Sequence, residues 1–244
     1  HGVHAGVVLN GQMSANVLQM GIVGRRRIAG PQIRRLTAMA KERGIPVIHT
    51  TKAYLDRVSE GAVHQGVAAV AAEKEYCSVD DILQYAAQRG EPPFLLILSE
   101  IMDPHNLGAI IRSAEGCGAH GIIVPARRSA PLSSVVAKTS AGALEHMRIA
   151  RVTNLAAAID GLKKSGVWVY GAADGSAALY TDTDLRGPLA LVIGNEGAGI
   201  GKLVREKCDG LVRIPMVGSV SSLNASVAAG VLLYEALRQR NLRT

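Results

Sequence analysis

The chain has 244 residues, 48% of them hydrophobic, and a formal net charge of +7. That length and apolar share suit one large or two small globular domains, each with its own buried core. No apolar run approaches the roughly 20 residues that span a bilayer, no charged-then-apolar leader opens the chain, and the three scattered cysteines, Cys77, Cys117 and Cys208, suit neither a disulfide framework nor a zinc site. The expectation is a cytoplasmic protein with no membrane and no metal among its partners.

The positive charge is uneven. Residues 1–72 carry Arg25, Arg26, Arg27, Arg34, Arg35, Lys41, Arg43, Lys52 and Arg57 against Glu42, Asp56 and Glu60, a net of +6, which leaves +1 for everything that follows. A basic segment beside a near-neutral one suggests delivery to a polyanion, with phosphate contacts supplying affinity without sequence information. Aromatic residues are only 3% of the chain, so base stacking on an aromatic platform is not expected.

In chain order, residues 1–72 read as a small α/β domain: a helix over 1–9, a strand over 16–23, a helix over 32–41 ended by Gly44, and strands over 47–49 and 67–71. Arg25, Arg26 and Arg27 follow the first strand on a loop, where they can reach phosphates. His64, in the turn before the last strand, is read as structural rather than as a ligand. Residues 73–92 change composition, carry a short helix over 79–88 and end on Gly90 and a double proline, which reads as a linker.

A second domain then spans 93–244. Residues 94–98 form an uninterrupted apolar strand of the kind buried on both faces. The block DPHNLGAIIRSAEGCG follows, with Asp103 or Asn106 placed to cap a helix running to Gly116. Arg112 lies six residues after Asn106, about 600° around a helix, so the two share a face only if Asn106 sits on the preceding loop. Its neighbours Ile110, Ile111 and Ala114 imply an apolar setting in which a guanidinium needs a partner, either a structural ion pair or a substrate. After a strand over 121–124, Arg127 and Arg128 stand on a loop near the expected active edge. Helices over 134–143 and 155–163 alternate with strands over 147–152 and 167–171, which gives a parallel sheet covered on both faces.

The C-terminal stretch holds the densest signal. A buried strand over 189–193 ends at Gly194-Asn195-Glu196-Gly197-Ala198-Gly199, where three glycines in six residues let main chain approach a ligand or simply turn. A second strand over 211–214 ends at Pro215 and feeds the polar loop Gly218 to Asn224, in which Ser222 and Asn224 can cap the helix that follows or serve chemistry. These two exits are expected side by side at the carboxyl edge of the sheet, where open α/β folds bind ligands.

Three blocks, DPHNLGAIIRSAEGCG, LVIGNEGAGI and IPMVGSVSSLNASVAAGVLLYEAL, occur in the order of the signature motifs that they resemble, those of the SpoU (TrmH) family of S-adenosylmethionine-dependent RNA 2′-O-ribose methyltransferases. The HGVHAG and EGAVHQGVAA segments resemble the L30e-like substrate-binding domain of the RlmB-like branch, whose namesake methylates a guanosine ribose in 23S ribosomal RNA; relatives that modify other ribosomal, mitochondrial or transfer RNA sites share the same blocks, and the basic first domain alone would also suit a non-enzymatic ribosomal RNA-binding protein. The resemblance implies a doubly wound α/β sheet with a C-terminal trefoil knot, a homodimer, an RNA or ribosomal-particle substrate and S-adenosyl-L-methionine as cofactor. By motif match it places Gly194, Ile214, Met216 and Leu223 at the cofactor, and Asn106, Arg112, Glu196, Ser222 and Asn224 at catalytic positions.

A ribose 2′-hydroxyl is a poor nucleophile near neutral pH, so the protein must align it with an activated methyl and assist loss of a proton. An arginine is too weak an acid to serve readily as a base. The expectation is therefore that Arg112 stabilises the developing alkoxide and clamps the adjacent phosphate while the proton leaves to a phosphate oxygen or water. Ser222, Asn224 and Asn106 would orient ribose and arginine, and Glu196 would fix Arg112 or a loop amide.

Overall fold

The computed structural model describes residues 3–6, 17–23, 30–59, 64, 66–72 and 74–241. Its elements gather into two compact units, one of His1–Lys74 with Leu132–Glu145 and one of Glu75–Pro131 with His146–Thr244.

In the first unit, strands β1 (Val3–Gly6), β2 (Val17–Val23), β3 (Val47–Thr50) and β4 (Val67–Ala72) form one sheet in the order β1-β4-β2-β3. β4 is antiparallel to β1 and β2, and β3 runs parallel to β2. Val3–Gly6 are thus extended, not helical as the sequence reading has them. A helix so short has little stability of its own, whereas pairing Val3–Gly6 with Ala72–Ala69 supplies a partner for its backbone. Helix α1 (Pro31–Glu42) starts on a proline, where the missing amide costs nothing, and is followed by Gly44 at φ +65°. It buries Leu36 and Ala40 against Val67 and Ala69. Helix α2 (Lys52–Val58), absent from the sequence reading, is capped by the Thr51 side chain, which accepts the Tyr54 N–H at 3.3 Å. Its Asp56 accepts from the buried His64 Nε2 at 2.9 Å, while His64 Nδ1 accepts the Gly66 N–H, so this histidine is structural. Arg25, Arg26 and Arg27 lie outside the described residues.

The segment expected as a linker folds into the second unit. Helix α3 (Val79–Gln88) opens on a reciprocal capping box: Ser78 Oγ accepts from Asp81 N at 3.1 Å and Asp81 Oδ2 accepts from Ser78 N at 2.8 Å. Its Ile82 is fully buried in the core with Leu95, Ile97 and Ile123, and a Cβ on Gly121 would come within 2.5 Å of Ile82. Compositional change marks this stretch, yet its apolar stripe is what ties it down.

The rest of the unit alternates strand and helix: β5 (Phe94–Leu98), α4 (Pro104–Gly116), β6 (Gly121–Pro125), then α5 (Ser134–Thr139) and α6 (Ala143–His146), which fall mostly in the excursion Leu132–Glu145, then β7 (Ile149–Val152), α7 (Leu155–Lys164), β8 (Trp168–Ala172), β9 (Leu189–Ile193), α8 (Lys202–Lys207), β10 (Gly210–Val212) and α9 (Ala225–Asn241). The helix expected over 134–143 is split at Ala141 and Gly142, both at positive φ. All six strands are parallel, in the order β10-β8-β9-β5-β6-β7. Every residue of β5 and of β9 is buried, as continuous apolar runs in a sheet covered on both faces must be. β9 sits between β5 and β8, so the direction of winding reverses there. β10 is separated from β9 by β8, which corrects the expectation that their exits are immediate neighbours; the exit of β8 lies between them.

Candidate active site

The exits of β8, β9 and β10 line one cleft of about 460 Å³, with walls from Ala172 to Asp174 and Ile193 to Ile200, and from Arg205, Val212, Ile214, Met216, Ser221, Ser222, Leu223, Ala225 and Ala228. The turn after β9 is closed on itself. Asn195 and Gly199 exchange backbone bonds at 3.1 and 2.8 Å, and Asn195 Oδ1 accepts the Gly197 N–H at 2.8 Å. Gly194 has no alternative: a Cβ there would lie 2.2 Å from the Gly199 carbonyl carbon. Bare backbone at Gly194 and the apolar Ala172, Ile193, Ile214 and Leu223 share the lining with the polar Asn195, Ser221 and Ser222.

This turn presents Glu196 to the other two motifs. Asp103 caps α4 by accepting the His105 N–H at 3.0 Å, and with Pro104 at the first position the helix brings Asn106 to the edge of the sheet. Asn106 Nδ2 donates to Glu196 Oε1 at 2.7 Å. Asn224 Nδ2 donates to Asn106 Oδ1 at 3.0 Å and also to Glu196 Oε1, and the Ala225 N–H donates to the same oxygen at 3.3 Å. Asn224 Oδ1 meanwhile accepts the Ser226 N–H at 3.0 Å and caps α9. The helix-cap reading of Asn224 holds for its oxygen, while its nitrogen joins the cluster with Asn106 and Glu196.

The remaining expected residues divide. Gly194, Ile214, Met216, Ser222 and Leu223 all line the cleft. Arg112 does not. It is exposed on α4, makes no hydrogen bond or ion pair among the described residues, and is not held by Glu196, whose bonds go to Asn106, Asn224 and Ala225. Asn106 lies inside the helix, so six residues carry Arg112 round to another face, and the apolar setting inferred from Ile110 and Ile111 belongs to that helix's buried side. Arg127 is exposed and makes no side-chain bond among the described residues, whereas Arg128 donates to Glu100 Oε1 at 2.8 Å. Glu100 and Arg128 both stand at positive φ, 63° and 58°. Three participants escaped the sequence reading. Glu100 sits just after β5 with no pattern around it, Arg205 lies on the unread helix α8, and Asp174 was read only as part of a turn; the last two line the cleft.

Burial pushes the Cys117 and Cys208 thiols up to about 11, so both stay protonated at neutral pH.

A family model described as the SpoU rRNA Methylase family matches residues 93–234, which contain the whole cleft and the Asn106–Glu196–Asn224 cluster. The chain belongs to the SpoU rRNA methylase family. A second model, RNA 2′-O ribose methyltransferase substrate binding, matches residues 22–77 of this SpoU family member. The chain is 49% identical over 210 residues to YacO of Bacillus subtilis (strain 168), named as a TrmH family tRNA/rRNA methyltransferase; the match covers 86% of this chain and 84% of that protein. A TrmH family tRNA/rRNA methyltransferase of Staphylococcus aureus (strain MSSA476) is 42% identical over 241 residues, 99% of this chain and 94% of its own. Among solved structures, the SpoU methyltransferase AviRb of Streptomyces viridochromogenes, in complex with AdoMet, superposes with a TM-score of 0.76 at 29% identity, covering 92% of this chain and 83% of AviRb. The AdoMet-bound rRNA methyltransferase of Sinorhizobium meliloti gives 0.76 at 26% identity over 94% of this chain and 82% of that one.

Proposed function

We propose that this SpoU family member transfers a methyl group from S-adenosyl-L-methionine to a ribose 2′-hydroxyl in RNA, at a guanosine of 23S ribosomal RNA, and that it works as a homodimer. The single observation that carries the reading is the meeting of side chains from three separated blocks, Asn106 and Asn224 donating to one carboxylate oxygen of Glu196, at the cleft lined by the exits of β8, β9 and β10. The cleft fits the cofactor, with a backbone cradle at Gly194 that no side chain could share and with Ile214, Met216 and Leu223 as its walls. Its turns are those that the family resemblance assigns to a trefoil knot, and solved relatives hold AdoMet.

When bound, the sulfonium supplies an activated methyl, and the chain's own residues have only to hold the acceptor in line and manage its proton. Glu196, anchored by three donors through one oxygen, fixes the relative positions of α4, the β9 turn and α9. Ser222, in the cleft wall, orients the ribose. Arg112, exposed and free of partners among the described residues, is available to the phosphate beside the target ribose, where its planar fork steadies the negative charge that develops as the hydroxyl loses its proton to a phosphate oxygen or water. Arg127 meets the backbone of the same RNA.

Two measurements test this. Calorimetry with S-adenosyl-L-methionine should show binding by the intact protein. Ribose-methylation mapping of ribosomal RNA from cells lacking the protein should show one guanosine of 23S RNA unprotected from alkaline cleavage. A lost mark in transfer RNA, or at another ribosomal site, would keep the chemistry and replace the target.

A further inference from the structure

Among the described residues, three charged side chains line the cleft: Asp174, Glu196 and Arg205. Glu196 is committed to Asn106, Asn224 and the Ala225 amide. The other two are exposed, and neither makes a side-chain hydrogen bond or ion pair among the described residues. They come from different walls: Asp174 follows β8, and Arg205 projects from α8 after the glycine-rich turn. A slot of mixed polar and apolar lining that keeps one unpaired acidic and one unpaired basic side chain is complementary to a ligand that is zwitterionic at one end.

We propose that Arg205 and Asp174 read the amino-acid end of the cofactor, Arg205 taking its α-carboxylate and Asp174 its α-ammonium group. This rests on the reading of the cleft as the S-adenosyl-L-methionine site. A guanidinium offers a carboxylate two parallel N–H donors, the geometry that makes such pairs both stronger and more selective than a point charge. The backbone cradle and apolar walls hold the nucleoside, which is common to many cellular molecules. The charged pair is then what separates the methyl donor from nucleosides that lack an amino acid. Neither residue touches the transferring group, so their contribution is to binding and selectivity.

The test is calorimetry on the full chain with two probes, S-adenosyl-L-methionine and 5′-methylthioadenosine, the second having the same nucleoside but a neutral thioether in place of the sulfonium and no amino-acid end, so that the change each variant makes in the ratio of the two affinities is what is read. The wild-type protein should prefer the first. Arg205→Ala should bind S-adenosyl-L-methionine about tenfold more weakly, the usual size of a lost charge-assisted hydrogen bond, and 5′-methylthioadenosine unchanged; Arg205→Lys should recover part of the loss. Asp174→Asn should show the same selective pattern, and unchanged binding of the second probe reports an intact fold in each variant. Equal losses toward both probes, no loss toward either, or weakened RNA binding with S-adenosyl-L-methionine affinity intact would overturn the assignment. Binding of neither probe by the wild-type chain would instead remove the cofactor reading on which it rests.

Discussion

Glu196 takes the amide of Asn106 at 2.7 Å across 90 positions of sequence, with one residue on the turn after β9 and the other at the start of α4. The bond spans two adjacent strand exits, and on the proposed reading it sets where a ribose held by one meets a methyl group held by the other. Glu196→Gln keeps the shape but replaces an anion that gathers three donors with a neutral amide. We expect kcat to fall about a hundredfold, the scale of a misplacement near 1 Å, with the KM for S-adenosyl-L-methionine within about threefold of wild type. A variant whose loss lay entirely in KM would show that the cluster binds the cofactor instead of positioning the acceptor.

Arg112 tests a different part. Because it is exposed and unpartnered among the described residues, Arg112→Ala should leave the Tm unchanged while turnover falls steeply. Arg112→Lys retains charge and loses the fork, so turnover should still drop by about tenfold, the worth of one charge-assisted hydrogen bond. Full activity in the lysine variant would take the guanidinium out of the reaction.

The two loop arginines should not be equivalent. Arg127→Ala should weaken RNA binding uniformly across sequences and lower the slope of log K against log salt by about 1. Arg128 already donates to Glu100 at 2.8 Å, so Arg128→Ala should cost less, and Glu100→Ala should strengthen RNA binding by releasing a cation. Equal salt slopes for the Arg127 and Arg128 variants would refute the distinction.

Gly194→Ala must move main chain, because its Cβ would fall 2.2 Å from the Gly199 carbonyl carbon. Overpacking of this kind costs about 1–3 kcal/mol, and the displaced turn carries Glu196 with it. Thermal melts should show the destabilisation and calorimetry the loss of cofactor affinity; a variant that melts and binds like wild type would mean that the turn has room to spare.

A pH effect is expected far from the cleft. His120 is buried, its Nδ1 accepts the Phe94 N–H at 3.0 Å and its Nε2 donates to Glu91 at 3.0 Å, so the ring is neutral. Burial holds its pKa below the ordinary 6.5, partly opposed by Glu91; Arg240 and Arg89 push in the same direction as burial, and Tyr85 packs edge-on against the ring. The unfolded chain therefore takes up this proton first. The stability that the neutral ring contributes is fully present above about 6.5 and is lost as pH falls through the lower folded value. Urea midpoints measured from pH 8 to 5 should decline across that window, and His120→Asn should flatten the decline.

How much of this was legible in the sequence follows from the range over which each feature is encoded. The runs at 94–98 and 189–193, the Asp103 cap and the Gly194 cradle depend on neighbours a few residues away, and their residues announce them. Strand order does not: β9 and β10 share a pattern of apolar run and glycine-rich or polar exit, yet β8 separates them, because crossovers decide adjacency. Arg112 shows the same limit at finer scale. Its apolar neighbours in sequence are real, but helical geometry turns them inward and the arginine outward. Glu196 could be picked out, but not its partners, since bonds across 28 and 90 positions leave no local trace.

The late position of β9 in the sequence, set against its central place in the sheet, constrains how the protein is made. A growing chain that has produced β5 to β8 holds the β5-β6-β7 piece and the lone strand β8, whose facing edges wait for residues 189–193. Until that strand arrives, both edges offer unpaired backbone to any other strand nearby. Synthesis that stalls between β8 and β9 should therefore yield chains that clump, whereas a stall beyond Ile193 leaves the sheet's middle closed.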